Sequence, residues 1–132
     1  MEDDDAKKLI EEELAIAKRR LKASELLLSN DMIEDAINRV YYALFYAAKA
    51  MLNSAGFDAK SHSGLISEFG LRIVKPKLVE RVYGKVLRKS FEARESSDYK
   101  IGAIFDKGEV KELISDAKKF IERAENFVKS RI

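Results

Sequence analysis

A single arginine interrupts a long apolar stretch of this sequence. Arg39 lies within a largely apolar run from Ile33 to Leu52, and Tyr42 and Tyr46 follow it at the i+3 and i+7 positions of a helix. A cation on a buried helix needs a partner, because burial removes its hydration. Either a carboxylate of a neighbouring helix pairs with Arg39, or Arg39 and Tyr42 line a cleft that receives an anion, such as the phosphate of a nucleotide or RNA.

A second polar cluster contains the only histidine of the chain. Lys60, Ser61, His62 and Ser63 precede a short apolar segment, and we expect them at the start of a helix. The free N–H groups and the positive dipole end of that helix, together with the hydroxyls and the lysine, would bind a phosphate. The alternative is a serine cap with an incidental histidine beside it.

A third cluster closes a later helical segment. Arg94 lies one helical turn before Asp98, and Tyr99 follows. One interpretation is an exposed Arg94–Asp98 ion pair within the helix, which contributes only about 0.3–0.5 kcal/mol. The other is that Arg94 joins Arg39 in one cleft, since two guanidinium groups can hold a phosphate in a bidentate manner.

The composition restricts the class of protein. The chain has 132 residues, of which 36% are charged, and it contains no Cys, Trp or Gln. This length fits one domain over residues 1–132, and the many charged residues suggest a thermophile. We expect a cytoplasmic protein with no membrane span, no disulfide, no metal and no cofactor, because there is no long apolar segment, no cysteine and only one histidine. The net charge of +2 implies that any nucleic-acid binding depends on a local patch.

The positions of the apolar residues predict an all-α fold. Five segments repeat apolar residues every three to four positions, and each would hide one stripe. Short connections favour antiparallel neighbours, so we expect an up-and-down bundle of four long helices plus one short helix. The second helix is apolar on nearly all faces and should be central. The fifth has the most regular stripe, formed by Val110, Leu113, Ala117, Phe120, Ala124 and Phe127.

Turn and cap residues set the expected ends of these helices. The first should end at Ser29, and Asp31 with Glu34 would form a capping box at the start of the second. Gly56 should end the second helix, and Pro76 suits the first turn of the fourth. The inward face of the fourth helix is expected to carry Leu78, Val82, Tyr83, Val86, Leu87 and Phe91.

The second helix also gives an argument for dimerisation. Tyr41, Phe45 and Ala48 lie outside its main apolar stripe, so a second copy of the chain could cover them. The alternative is that the short third helix covers them within one chain.

The three polar clusters together resemble the HEPN domain family, from about Glu12 to about Val128. The markers are Asn38-Arg39-x-Tyr41-Tyr42-Ala43-x-Phe45, Lys60-Ser61-His62-Ser63-Gly64-Leu65, and Phe91-x-x-Arg94 with Asp98-Tyr99. The resemblance implies a helical bundle that forms a homodimer. It also implies nucleotide binding or a metal-independent ribonuclease site across the dimer. Such ribonucleases often serve as the toxin of a toxin–antitoxin pair, with a minimal nucleotidyltransferase as the partner.

This chain departs from the ribonucleases of that family at one position. Those proteins have a histidine soon after the arginine that corresponds to Arg94, and this chain has Asp98 and Tyr99 there. Cleavage through a 2′-hydroxyl needs a base and an acid that work near neutral pH, and the ordinary pKa values of tyrosine and aspartate are far from it. His62 would replace the absent histidine only if the fold brings it beside Arg94.

Three functional hypotheses follow. The first is a HEPN-like protein that binds nucleotide or RNA phosphate. Its binding residues would be Arg39, Tyr42, Lys60, Ser61, His62, Arg94 and Tyr99. The second is a ribonuclease toxin with an altered site, in which Arg94 stabilises the phosphorane and His62 or Asp98 transfers the proton. The third is a non-catalytic protein that docks a nucleotidyltransferase partner.

Overall fold

The computed structural model describes residues 3–99 and 104–132. Its five α-helices are α1 (Asp3–Ser29), α2 (Ile33–Ser54), α3 (His62–Phe69), α4 (Arg81–Tyr99) and α5 (Lys107–Lys129). A π-helical turn over Gly70–Val74 continues α3. The described ranges contain no strand, and the predicted all-α bundle of four long helices plus one short helix is confirmed. No helix within those ranges is long and apolar enough to cross a membrane.

α2 occupies the centre of the bundle, as its apolar faces predicted. It contacts α1, α3, α4 and α5. Small side chains such as Ala36, Ala43 and Ala47 are fully buried along it, so neighbouring helices can pack closely on several sides. The predicted stripe of α5 is buried along its whole length. Within that core, the rings of Phe69 and Phe120 join α3 to α5 at a centroid distance of 5.6 Å.

The turn between α1 and α2 does not contain the predicted capping box. Asp31 has a positive φ of 59°, and the residue that caps α2 is Met32, which makes no side-chain cap hydrogen bond. The N–H groups of Asp31 and Met32 instead donate to the carbonyls of Leu28 and Leu27. This is the pattern of a Schellman motif, so Asp31 closes α1 rather than opening α2. Its carboxylate binds Nζ of Lys107 at 2.7 Å.

Pro76 ends one helical segment rather than beginning the next. The N–H of Lys77, at φ 65°, donates to the carbonyl of Val74, and the N–H of Leu78 donates to Ile73. The same hydrogen-bond pattern closes α2 at Gly56, where the glycine was predicted to end the helix. Because Pro76 lies at the C-terminal cap of the segment that follows α3, α4 begins only at Arg81.

The later start of α4 changes which of its residues face inward. Leu78 precedes the helix and does not share its repeat, and Val82 is 54% exposed, so these two predictions are wrong. Leu87 is fully buried and Phe91 packs against the core, as predicted. The helical repeat that contains them continues to Arg94, which therefore faces α2.

The apolar surface of α2 is covered within one chain. Tyr41 and Ala48 are fully buried, and Phe45 packs against the core and against the ring of His62. The start of α3 and the ring of Phe91 cover Tyr41. The sequence argument for a dimer based on these three residues is therefore wrong, and the alternative, coverage by the third helix, holds together with α4.

Candidate functional site

Tyr41 and His62 form a hydrogen-bonded pair between α2 and α3. The Oη atom of Tyr41 lies 2.6 Å from Nδ1 of His62. Because Tyr41 is fully buried, its hydroxyl needs such a partner. A serine cap fixes the position of His62 at the start of α3, as Oγ of Ser61 accepts a hydrogen bond from the N–H of Gly64. A Cβ atom at Gly64 would lie 2.7 Å from that oxygen, so glycine suits this position.

Arg94 lies on the other side of the same tyrosine. Its Cζ atom is 5.2 Å from the ring centroid of Tyr41 and 5.6 Å from that of Tyr42, which is cation–π distance. Its side chain is 15% exposed, and Nε lies 3.3 Å from Oδ2 of Asp98. The geometry of that pair makes no hydrogen bond, so the buried Nε of Arg94 has no hydrogen-bond partner among the described residues. The buried hydroxyl of Ser97 has none there either. Arg94 and His62 therefore meet at Tyr41.

The electrostatics of this centre favour neutral forms of its two titratable rings. Burial, and next the positive charge of Arg94, lower the pKa of His62 below its ordinary value of 6.5. Burial raises the pKa of Tyr41 above its ordinary value, although Arg94 opposes this change. At neutral pH the imidazole of His62 is therefore uncharged and the phenol of Tyr41 keeps its proton.

A neutral imidazole next to a protonated phenol can take part in proton transfer. The hydroxyl of Tyr41 can donate a hydrogen bond to Nδ1 of His62 or accept one from its N–H, so the pair is compatible with both tautomers of the ring. In either case the tyrosine fixes the orientation of the ring. The described residues supply no hydrogen-bond partner for the second nitrogen, Nε2, which can therefore serve an incoming group.

Aromatic side chains enclose the histidine. The ring of His62 lies 4.7 Å from Phe45 and 5.7 Å from Tyr42, measured between centroids. Phe91 packs on the far side of Tyr41, at 5.8 Å. Such walls reduce the access of water and strengthen the interaction of Arg94 with an anion. Among residues 3–99 and 104–132, no group of three or more histidine, aspartate or glutamate side chains could hold a metal ion.

Comparison with known proteins identifies the family. The profile of the HEPN domain matches residues 10–127 of the chain. The chain belongs to the HEPN domain family. A protein of Methanocaldococcus jannaschii named "Putative toxin MJ0605" is 33% identical over 125 residues, which cover 95% of this chain and 92% of that protein. A "UPF0332 protein" of Thermotoga maritima is 35% identical over 121 residues and 92% of each chain.

The structure brings together three of the predicted HEPN site residues. Tyr42, His62 and Arg94 all contact Tyr41. Arg39, in contrast, is exposed, and its guanidinium donates to the side-chain oxygen of Asn38. The expectation that Arg39 is buried is therefore wrong, because it lies on the outer side of α2. No contact among the described residues joins it to Arg94.

The remaining predicted site residues differ in their exposure and in their partners. Lys60 and Ser61 are exposed, and the hydroxyl of Ser61 is engaged in the cap of α3. Asp98 is ion-paired with Arg94, as one interpretation of the sequence expected. Tyr99 is the last residue of α4, and its side chain lies outside the part of the chain that the structure describes.

Tyr41 was not predicted as a residue of the HEPN site, although it contacts both Arg94 and His62. Tyr41 entered the sequence analysis as a marker of the HEPN resemblance and as part of an uncovered apolar face, but not as a site residue. Two consecutive tyrosines on a helix point in directions about 100° apart. Here both rings lie beside His62 and Arg94, and it is the hydroxyl of Tyr41 that bonds to the imidazole. A buried tyrosine hydroxyl seeks a hydrogen-bond partner, and the single histidine was the candidate that this rule would have suggested.

Proposed function

We propose that this HEPN protein binds RNA through a phosphodiester group at the centre formed by Arg94, His62 and Tyr41, as the toxin-type member of a two-protein pair. The observation that carries the proposal is that Arg94 and His62, distant in sequence, contact the same buried tyrosine. The relatives from Methanocaldococcus jannaschii, of which two bear the name toxin, support the toxin-type assignment.

The chemistry of Arg94 suits a phosphate ligand. The ion pair with Asp98 engages only the Nε side of the guanidinium, and at 3.3 Å it is long for a charge-assisted bond. A phosphate oxygen can therefore compete for Arg94, with Nε2 of His62 as a second donor when that nitrogen carries the proton. Exposed Arg39 and Lys60 would extend the contact along the RNA backbone.

Cleavage of the bound RNA is a second candidate function, favoured by the uncharged state of His62. In this reaction Nε2 of His62 accepts the proton of a 2′-hydroxyl, and the resulting oxygen forms a bond to the adjacent phosphorus. The bond from phosphorus to the 5′-oxygen breaks, and that oxygen takes a proton from water. Arg94 stabilises the negative charge of the phosphorane, and the products are a 2′,3′-cyclic phosphate and a 5′-hydroxyl. No metal ion is required for these steps.

We also propose that the protein forms a homodimer and pairs with a nucleotidyltransferase-type antitoxin. These two proposals rest on the HEPN family and on the toxin names of its relatives. Sedimentation of the purified protein tests the first. Co-expression with the product of the adjacent gene and joint purification test the second.

Binding is tested with a fluorescein-labelled single-stranded RNA of mixed sequence. Arg94→Ala should weaken binding by about tenfold or more, because a charged hydrogen bond to phosphate contributes about 1.5–3 kcal/mol. Arg88→Ala removes an exposed arginine of the same helix and should change the affinity by less than about threefold. Equal losses for the two variants would show that only the net charge of the surface matters, and the proposed centre would be wrong.

Cleavage is tested by incubating the same RNA with the protein in the presence of EDTA. Wild type should release fragments that end in a 2′,3′-cyclic phosphate, and His62→Ala should lower the rate by about 100-fold or more. Tyr41→Phe keeps the ring but removes the hydroxyl that orients His62, so its loss should be smaller. If the RNA stays intact with wild type, the cleavage hypothesis fails and the binding hypothesis is unaffected. If cleavage persists in His62→Ala, the assigned base is wrong.

A further inference from the structure

A second polar centre lies at the C-terminal end of α2, away from Tyr41. Glu13 of α1 is only 3% exposed. Nδ2 of Asn53 lies 2.8 Å from one of its carboxylate oxygens and 3.0 Å from the other, so a single amide nitrogen serves both. Buried carboxylates are normally paired with a cation. Lys49, a cation whose charge acts on Glu13, pairs with Asp58 at 3.9 Å instead.

Glu13 lies at the wall of an open pocket. The pocket has a volume of about 490 Å³, within the range of small-molecule sites. Four polar residues line it, Glu13, Lys49, Asn53 and Asp58, and the rest of its wall is apolar and includes Leu9, Ile10 and Phe57. A ligand for this pocket therefore needs an apolar body as well as a group that complements the carboxylate.

The end of α2 adds to the preference for positive charge. Asn53 belongs to the last turn of this helix, and Gly56 and Phe57, which also line the pocket, follow directly. The C-terminal end of a helix carries a partial negative charge and favours cations. The buried carboxylate and the helix end thus act in the same direction, and both face the same pocket.

We propose that this pocket binds a small organic cation, in which an ammonium group pairs with Glu13 and an apolar body contacts Leu9, Ile10 and Phe57. Metal ions are poor candidates, because the described residues place only one further carboxylate, that of Asp58, at the pocket. The proposal does not depend on RNA binding at Arg94.

Lys49 is the residue that would regulate the affinity of this site. It lines the same pocket, and its charge acts on Glu13. A lysine at this position repels an incoming ammonium group and competes with it for the carboxylate. Replacement of Lys49 by an uncharged side chain should therefore strengthen binding of the ligand, whereas non-specific adsorption of an amine would not depend on this residue in that direction.

The test uses the full chain, with phenethylamine as the probe and 2-phenylethanol as a neutral molecule with the same apolar body. Binding is followed at pH 7.5 by NMR, through the side-chain amide resonances of Asn53. Phenethylamine should give a saturable shift with a dissociation constant of about 1 mM or lower. Glu13→Gln, which keeps the shape of the side chain, should weaken binding about tenfold, and Lys49→Met should strengthen it. Glu12→Gln, an exposed neighbour of Glu13, is the control and should bind as wild type does.

Four results would overturn the proposal. They are the absence of a saturable shift with phenethylamine, equal binding of 2-phenylethanol, unchanged affinity in Glu13→Gln, and equal weakening by Glu12→Gln. If Glu13→Gln fails to fold, the Lys49→Met comparison decides, since lower or unchanged affinity in that variant contradicts the proposed role of the carboxylate.

Discussion

Two polar centres lie along α2, and the charges around them differ. In the N-terminal half of the helix His62 bonds to the hydroxyl of Tyr41, and in its last turn Glu13 bonds to the amide of Asn53. Burial has the largest effect on the pKa of both groups. It lowers the pKa of His62 and raises the pKa of Glu13. The cation nearest to His62 adds to the effect of burial, whereas the cation near Glu13 opposes it.

Burial gives the two centres opposite responses to pH, because it disfavours the charged form of a base, His62, and of an acid, Glu13. The folded-state pKa of His62 is below its ordinary value of 6.5, so its contribution to stability is present above that pH and is lost as the pH falls through the folded-state pKa. The folded-state pKa of Glu13 is above its ordinary value of 4.5. Its contribution is therefore present below pH 4.5 and is lost as the pH rises through the folded-state pKa.

The largest expected effect is on the free energy of unfolding, and it concerns the Glu13 centre. Asn53→Ala removes the amide that bonds to the carboxylate, and the free energy of unfolding at pH 8 should fall by about 2–3 kcal/mol, because a buried charged acceptor loses its partner. At pH 4 the loss should be smaller, since Glu13 is then protonated in more of the molecules. Urea denaturation at both pH values measures the difference.

The control for that experiment is Asn126→Ala, which removes an exposed asparagine of α5. Its effect should stay within about 0.5 kcal/mol at both pH values. If Asn53→Ala lowers the stability by the same amount at pH 4 and pH 8, the loss comes from packing, and the carboxylate does not titrate as described.

Much of the fold could be predicted from the sequence because helical periodicity repeats a local signal many times. The buried stripe of α5 and the central position of α2 are examples. The errors fell at single residues, Asp31 and Pro76, that suit either a helix start or a helix end. Which role they take depends on the tertiary contacts of the turn, which a local pattern does not contain.

The candidate site was predicted less completely than the fold. Arg94, His62 and Tyr42 were identified by residue type, yet their meeting point at Tyr41 depends on how α3 and α4 pack on α2. Arg39 was assigned to the interior because its neighbours are apolar, but one residue on a helix can face outward between two buried ones. Glu13 received no assignment, since nothing near it in sequence indicates that Asn53 lies beside it.

A second prediction concerns the charge of Arg94. Arg94→Met keeps much of the volume of the side chain and removes its cation, so the pKa of His62 should rise. NMR titration of the Cε1 proton of His62, the only histidine, gives this value directly. Arg88→Met is the control and should leave the titration unchanged. A pKa of His62 that does not move in Arg94→Met would mean that Arg94 does not lower it, and the electrostatic contrast between the His62 and Glu13 centres would disappear.

The smallest effect should come from replacing Lys49, whose charge acts on the pKa of both His62 and Glu13. Its Nζ atom lies 5.9 Å from the ring centroid of Phe45, which packs on His62, and it also lines the Glu13 pocket. A positive charge lowers the pKa of a nearby base and of a nearby acid alike, because it repels the protonated imidazole and attracts the ionised carboxylate. Lys49→Met should therefore raise the pKa of His62 and the pKa of Glu13 together.

Lys60→Met provides the matched control, since Lys60 is an exposed lysine closer to His62 in sequence, whereas Lys49 is the lysine whose charge lowers the pKa of His62. Both values are read by NMR titration, from the Cε1 proton of His62 and the side-chain carboxyl carbon of Glu13. If only one of the two pKa values rises in Lys49→Met, Lys49 does not link the His62 centre to the Glu13 centre electrostatically. If Lys60→Met moves the pKa of His62 more than Lys49→Met does, the charge that matters at the Arg94 centre belongs to the start of α3, and the link through Phe45 is wrong.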